Sequence, residues 1–501
     1  MWLTDKQRKR VSAADKKTSG IPMPTRMVSN GEYMPLQQTP DQARVESGIL
    51  AAADEQGGKL GLDRRSFLRS TAGLATSFLV MNRVFGGDVF SVAHAETTDP
   101  AAAAERASRF ADQYIVDMQL HFVRDDYAWD GILHLGNYAR KWNADLGEIT
   151  FDSFKFDNFM KEVYFDSDTK IGLISAAPAD HGPNVIMNND GLADARNFVN
   201  KASGSRRMLS HTVIAPGQPG WLEEIDRAIE VLKPDSWKGY TLGDPFDNSQ
   251  YPWRLDDEKL MYPAYERMVK AGIRNVCIHK GLLPEDYENV ITHWRHAMVD
   301  DVGPAARDWP ELNFIIYHSG FRPLLTSPDP LLAQFEREGR IDWVSDLADI
   351  PEQYGVSNVY AELGTTFGSC AITHPRLAAA LMGVLIRGMG EDHIIWGTDS
   401  VWYGSPQWQI EAMRRIEIPE DMRKAHGFAE LGAADGAVKS AIFAGNATQV
   451  YGLVDLARPD AAWKPDAPPN VTAGHIAGGA TPSHTAYGTT PQAAVHGTPL
   501  P

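Results

Sequence analysis

The chain has 501 residues, 43% of them hydrophobic and 23% charged, and a formal net charge of -17. That is enough apolar material for one large domain plus appendages, and so acidic a surface offers no field for gripping nucleic acid, which excludes a nucleic-acid partner. With two cysteines, Cys277 and Cys370, no disulfide framework is available and the core must hold the fold by itself.

Residues 1–62 read as an N-terminal extension, with a Pro- and Gln-rich arm over 21–42 and with Met23, Met27 and Met34 as alternative starts. Residues 63–95 then follow the order of a twin-arginine signal: Arg64 and Arg65, Phe67 and Leu68, a weakly apolar run from Thr71 to Met81 containing Gly73, and Ala93-His94-Ala95 as a small-residue cleavage site. The apolar run is too short to span a bilayer, so no membrane span is expected in the mature protein. The expectation is export in folded form by the twin-arginine machinery, to a periplasmic or secreted location. An amphipathic surface helix with a chance arginine pair is the competing reading. Export after folding suits a protein that takes up its metal in the cytoplasm.

From 112 to 453, short apolar or β-branched runs alternate with helical patterns, as βα units around a parallel sheet do. Eight runs are counted, over 114–121, 170–175, 208–215, 236–242, 275–279, 313–318, 358–363 and 393–398. Trp221, Leu222, Ile225, Ile229 and Leu232 share one helical face, expected to pack on the sheet. Eight strands predict an α/β fold of the (β/α)8 TIM-barrel kind. Residues 458–501, rich in Pro, Ala, Thr and Gly and without periodicity, are expected to be a disordered tail in which His475, His484 and His496 are solvated.

In such a barrel, chemistry sits where strands end. The first run ends in Gln119-Leu120-His121, whose first and third residues face the same side, the fifth in His279, the sixth in His318 and the eighth in Asp399. Three imidazoles and a carboxylate converging on one mouth suit a divalent ion of zinc type with a coordination position open to water. Arg322 is a candidate clamp for a substrate carboxylate, and Trp402 and Tyr403 a candidate aromatic wall over the substrate. Glu362 reads as either a second acid or a structural carboxylate, Lys280 as a charge on the far side of its strand, and Cys277 as a buried inert thiol.

On these residues the stretch 112–453 resembles the amidohydrolase superfamily, in particular the amidohydrolase-related branch that holds nonoxidative decarboxylases, lactonases and carbon–carbon hydrolases. The resemblance implies that His121 and His279 are metal ligands, His318 a catalytic or secondary ligand residue, and Asp399 both ligand and base. It is extended by the closing segment Gly445-Asn446-Ala447-Thr448-Gln449-Val450-Tyr451-Gly452-Leu453. Gln119 departs from the pattern, standing where the first His of a His-x-His pair belongs; its amide oxygen is a poorer zinc ligand than imidazole. One metal is expected, zinc first with manganese, iron or another as alternatives, because Lys238 lies too early in its strand to bridge two. The readings are a metal-dependent hydrolase of a small ester, lactone, amide or C–C substrate, a nonoxidative metal-dependent decarboxylase of an aromatic or unsaturated carboxylate, and a non-catalytic ligand-binding barrel. A small-molecule substrate is the expected partner, and a homo-oligomer stays open.

Overall fold

The structure is a computed structural model that describes residues 21–25, 37–127, 133, 150–177, 180, 185–244, 249–324 and 326–453. The expected tail at 458–501 and most of residues 1–36 lie outside the described residues.

Eight parallel strands form one sheet in sequence order: β1 (Val116–Leu120), β2 (Ile171–Ile174), β3 (Met208–Val213), β4 (Ser236–Tyr240), β5 (Asn275–His279), β6 (Asn313–Tyr317), β7 (Val359–Glu362) and β8 (Ile394–Ile395). Each falls within its predicted run. The eighth is short because after Ile395 the chain turns its hydrogen bonds to the first strand. Met118 N–H donates to Trp396 O at 3.0 Å and Asp399 N–H to Gln119 O at 2.9 Å, which joins the eighth run to β1 and closes the barrel. Helices follow the strands and bury their apolar faces on them: Ile225 and Leu232 are buried, with Trp221, Leu222 and Ile229 packed alongside.

The region before the barrel is folded against it. Helix α1 (Pro40–Lys59) opens with a capping box between Thr39 and Gln42. Asp63 caps α2 (Arg64–Leu68), and Ser70 caps α3 (Thr71–Phe85). Arg64 and Arg65 stay exposed while Phe67, Leu68, Leu74 and Phe78 are buried in the main core. Gly73 permits the close approach of α3 to α2, since a Cβ there would lie 2.3 Å from Phe67 O. Phe90 then bridges antiparallel to Ile416. Beside it, buried ion pairs link this region to α5 (Gln407–Arg415): Arg415 with Glu96 at 2.6 Å and Arg106 with Glu411 at 2.8 Å. Residues 63–95 therefore contribute core side chains as well as carrying the arginine motif. Among the described residues, no helix is long and apolar enough to cross a membrane.

Candidate active site

The strand-end residues converge at the C-terminal mouth of the barrel, as alternation along parallel strands dictates. His121 Nε2 lies 3.0 Å from Asp399 Oδ1, and both side chains are fully buried. Nδ1 of His279 lies 3.1 Å from Nε2 of His318, and the Gln119 amide nitrogen is 3.3 Å from that same Nε2. Backbone conformation sets two of these groups apart: His318 and Asp399 have φ of +61° and +58°, a left-handed region that costs a non-glycine residue energy and that concentrates at functional sites.

The short helix α4 (Gly364–Ala371), entered directly from β7, connects the two. Thr365 N–H donates to His318 Nδ1 at 3.3 Å, and its hydroxyl donates to Asp399 Oδ2 at 2.5 Å. Because Nδ1 accepts, a neutral His318 carries its proton on Nε2 and presents it toward His279 Nδ1, since the Gln119 amide nitrogen beside it is itself a donor and cannot accept. Burial holds His318 well below the usual imidazole range, helped by the His279 ring and the Lys238 ammonium; burial and Lys238 do the same to His279.

Trp402 stacks on the His121 ring at 5.4 Å, and the Tyr403 hydroxyl reaches Thr365 Oγ1 at 3.3 Å, so both line the cluster in buried positions. Arg322 has its guanidinium over the Tyr287 ring, 5.6 Å from its centre. Lys280 faces away from the mouth as expected, but is buried and paired with Asp301 at 2.8 Å, so it is no surface charge. Cys277 is buried with its thiol pushed up to about 11 by burial.

Two neighbours, Tyr240 and His211, went unread in the sequence, and a third, Lys238, was read only as lying too early in its strand to bridge two metals. Tyr240 stacks on His279 at 4.4 Å, paired to it in register across β4 and β5. Lys238, two residues earlier on the same inward face, sets its ammonium 3.6 Å from the centre of the Tyr317 ring. Below these, His211 bonds Ser236 Oγ and the Tyr317 hydroxyl, each at 2.8 Å. Strand alternation would have marked Lys238 and Tyr240 as inward; Thr365 carries no such signal, because it lies beyond its strand.

The fit to a divalent ion rests on donor chemistry. Two imidazoles, a carboxylate and an amide oxygen lie together, and that oxygen, Gln119 Oε1, is buried with no hydrogen-bond partner. The donors stand as two contacting pairs, and among the described residues no three His, Cys, Asp or Glu side chains are arranged to hold a metal. Their chemistry suits the ion, while their present spacing is that of side chains touching one another.

The amidohydrolase family model matches residues 116–453, taking in every strand and every strand-end residue described above. The chain belongs to the amidohydrolase family. This amidohydrolase has no significant match among curated proteins. Solved structures similar to it include an uncharacterised TIM-barrel protein from Bordetella bronchiseptica, at 13% identity and TM-score 0.40, covering 68% of this chain and 98% of that one. Others are a 2,6-dihydroxybenzoate decarboxylase from Rhizobium (15%, TM-score 0.37, 68% and 99%) and a dihydroxybenzoic acid decarboxylase from Polaromonas with bound manganese and an inhibitor (15%, TM-score 0.39, 70% and 100%). At that distance, what this amidohydrolase does has to be argued from its own site.

Proposed function

We propose that this amidohydrolase is a metal-dependent nonoxidative decarboxylase of an aromatic or unsaturated carboxylate, a lyase in place of the hydrolase expected first. The observation that carries this reading is burial: His121, His318, Glu362 and Asp399 are 0% exposed, and aromatic rings lie flat on His121 and His279. A carboxylate brought into such a site loses its hydration, and the loss of carbon dioxide relieves that unfavourable state by carrying the carboxyl group away as a neutral molecule. Hydrolysis instead requires water to be delivered into the same dry space.

His121, His279, Asp399 and Gln119 would hold the ion, with zinc and manganese both compatible with this mixed donor set. When bound, a divalent ion supplies positive charge that polarises a substrate oxygen. The Nε2–H of His318 donates a hydrogen bond to substrate oxygen, held in that tautomer by Thr365 N–H. Asp399, oriented by the Thr365 hydroxyl, would take up a proton from solvent before the substrate closes the site and give it to the carbon as the carbon–carboxyl bond breaks, the pair of that bond forming the new C–H bond and the carboxyl group leaving as carbon dioxide. Trp402 and Tyr240 exclude water and offer flat faces to a cyclic substrate.

The test is a metal-replete screen that follows carbon dioxide release from aromatic and unsaturated carboxylates alongside acid release from esters and lactones. Acid release without any carbon dioxide would return the reading to hydrolysis. Inactivity on every substrate, together with no metal by elemental analysis, would favour a non-catalytic barrel.

Export to the periplasm remains our proposal from the 63–95 pattern, supported by the exposure of Arg64 and Arg65, and it is proposed with the segment retained, because cleavage at Ala93-His94-Ala95 would remove the core residues Phe67, Leu68, Leu74 and Phe78. Normal periplasmic fractionation of the Arg64→Lys, Arg65→Lys double variant would overturn it.

A further inference from the structure

Asp399 sits on a backbone held at φ +58°, a conformation that a residue with a side chain keeps only where its surroundings over-determine it. Thr365 holds the carboxyl; the main chain that leads into it is held by two other residues. On β1, Asp117 Oδ1 accepts the N–H of Thr398 at 3.1 Å and that of Gln119 at 3.2 Å, while its Oδ2 accepts the Thr398 hydroxyl at 2.5 Å. On α5, Gln409 Nε2 donates to Thr398 O at 2.9 Å. The peptide joining Thr398 to Asp399 is thereby gripped at both ends, because its N–H donates to Gln119 O at 2.9 Å. Asp117, Thr398 and Gln409 are all completely buried.

Glycines let these elements approach. A Cβ on Gly397 would lie 1.8 Å from Glu362 Oε1 and 3.2 Å from Gln119 Cβ, and one on Gly364 would lie 2.3 Å from Gln119 Oε1 and 2.9 Å from Glu362 Oε2. A Cβ on Gly368 would lie 3.1 Å from Gln409 Oε1, so the Gln409 amide rests against the same helix, α4, that carries Thr365. Strand β1 and helices α4 and α5 therefore meet on one turn of the chain. Burial pushes the Asp117 carboxyl up to about 7, so its role there has to be one that either protonation state performs. A hydrogen-bonded clasp is such a role, since the Thr398 hydroxyl can donate to a carboxylate or accept from a carboxylic acid.

We propose that Asp117 and Gln409 are positioning residues for Asp399, gripping the peptide before it so that its carboxyl stays aimed at the carbon that gains a proton. The inference rests on the assignment of that proton transfer to Asp399. The clasp acts by shape, so an amide can replace the Asp117 carboxyl: the Asn oxygen accepts the two N–H groups and its NH2 donates to the Thr398 hydroxyl. Removing the Asp117 side chain, or the Gln409 donor, leaves buried polar groups of Thr398 unmet and frees the turn to relax toward an ordinary backbone conformation.

The experiment compares wild type, Asp117→Ala, Asp117→Asn and Gln409→Met as full chains, with thermal melting to confirm that each is folded at the assay temperature. Amide hydrogen exchange over residues 396–402, which needs no substrate, should quicken at least tenfold in Asp117→Ala and in Gln409→Met and stay within about threefold of wild type in Asp117→Asn. On the first substrate found active, kcat should fall at least tenfold in the same two variants with KM within about threefold, and Asp117→Asn should recover most of it. A merely structural role would lower the melting temperature and leave kcat of the folded protein in place. Gln409→Met lies on a separate helix, so it decides the matter if Asp117→Ala does not fold. Exchange and kcat within twofold of wild type in folded Gln409→Met would overturn the proposal, as would Asp117→Asn no better than Asp117→Ala. Turnover without carbon dioxide release would overturn the decarboxylase reading, a separate result from exchange that is indifferent to both residues.

Discussion

Thr365 touches both His318 and Asp399, its N–H on one ring nitrogen and its hydroxyl on one carboxylate oxygen. A single residue in the first turn of α4 thereby fixes a tautomer on strand six and a carboxylate orientation on strand eight.

Thr365→Val keeps the shape and the main-chain donor but removes the hydroxyl. We expect kcat to fall about ten- to a hundredfold, the equivalent of about 1.4–2.7 kcal/mol, with KM little changed, because the lost hydrogen bond orients the proton-bearing group and not the substrate. Steady-state kinetics on the first active substrate checks it; an equal loss through KM alone would show that the hydroxyl acts in binding.

His211 is held well below the usual imidazole range by burial, with Lys238 adding to the effect. Its folded form resists protonation, so its contribution to stability is complete above the unfolded value near 6.5 and is lost as pH falls below it. In His211→Gln, which can still bond the Tyr317 hydroxyl, the slope of stability against pH between 6.5 and 5.5 should be shallower by about 1 kcal/mol per unit. Denaturant titrations at several pH values read this slope directly, and identical slopes for both proteins would contradict the assignment.

Removing residues 1–95 strips Phe67, Leu68, Leu74 and Phe78 out of the core and leaves Ile416 without its antiparallel bridge partner Phe90. At about 1.5–3 kcal/mol for each large apolar side chain, the loss rivals the whole stability of an ordinary domain. The truncated protein should aggregate or melt far below the full chain. A soluble truncate with an unchanged melting temperature would mean that these helices are dispensable.

Gln119→His should rebuild a His-x-His pair on β1 and tighten zinc binding, because imidazole is the better donor. Activity need not rise with affinity, since an added ligand can fill the position that substrate needs. Unchanged zinc affinity in a folded variant would mean that the side chain at 119 does not reach the metal.

Sequence alone determined the barrel and the ring of strand-end residues. Parallel strands buried on both faces must be short and apolar, and the residue that ends each inner face must point into the mouth, so His121, His279, His318 and Asp399 were legible from their place in eight periodic runs. Sequence was silent on what surrounds them. Thr365 lies past the end of its strand, Tyr240 acquires its meaning only from register with His279, and the glycine-walled meeting of Gln119 with Glu362 exists only because the first strand closes on the eighth. The packing of residues 63–95 was equally hidden, because an apolar run followed by small residues reads the same whether it addresses a translocon or fills a groove. Periodicity records which face of an element is buried; only the tertiary structure decides against what, since contacts between residues hundreds of positions apart leave no local pattern.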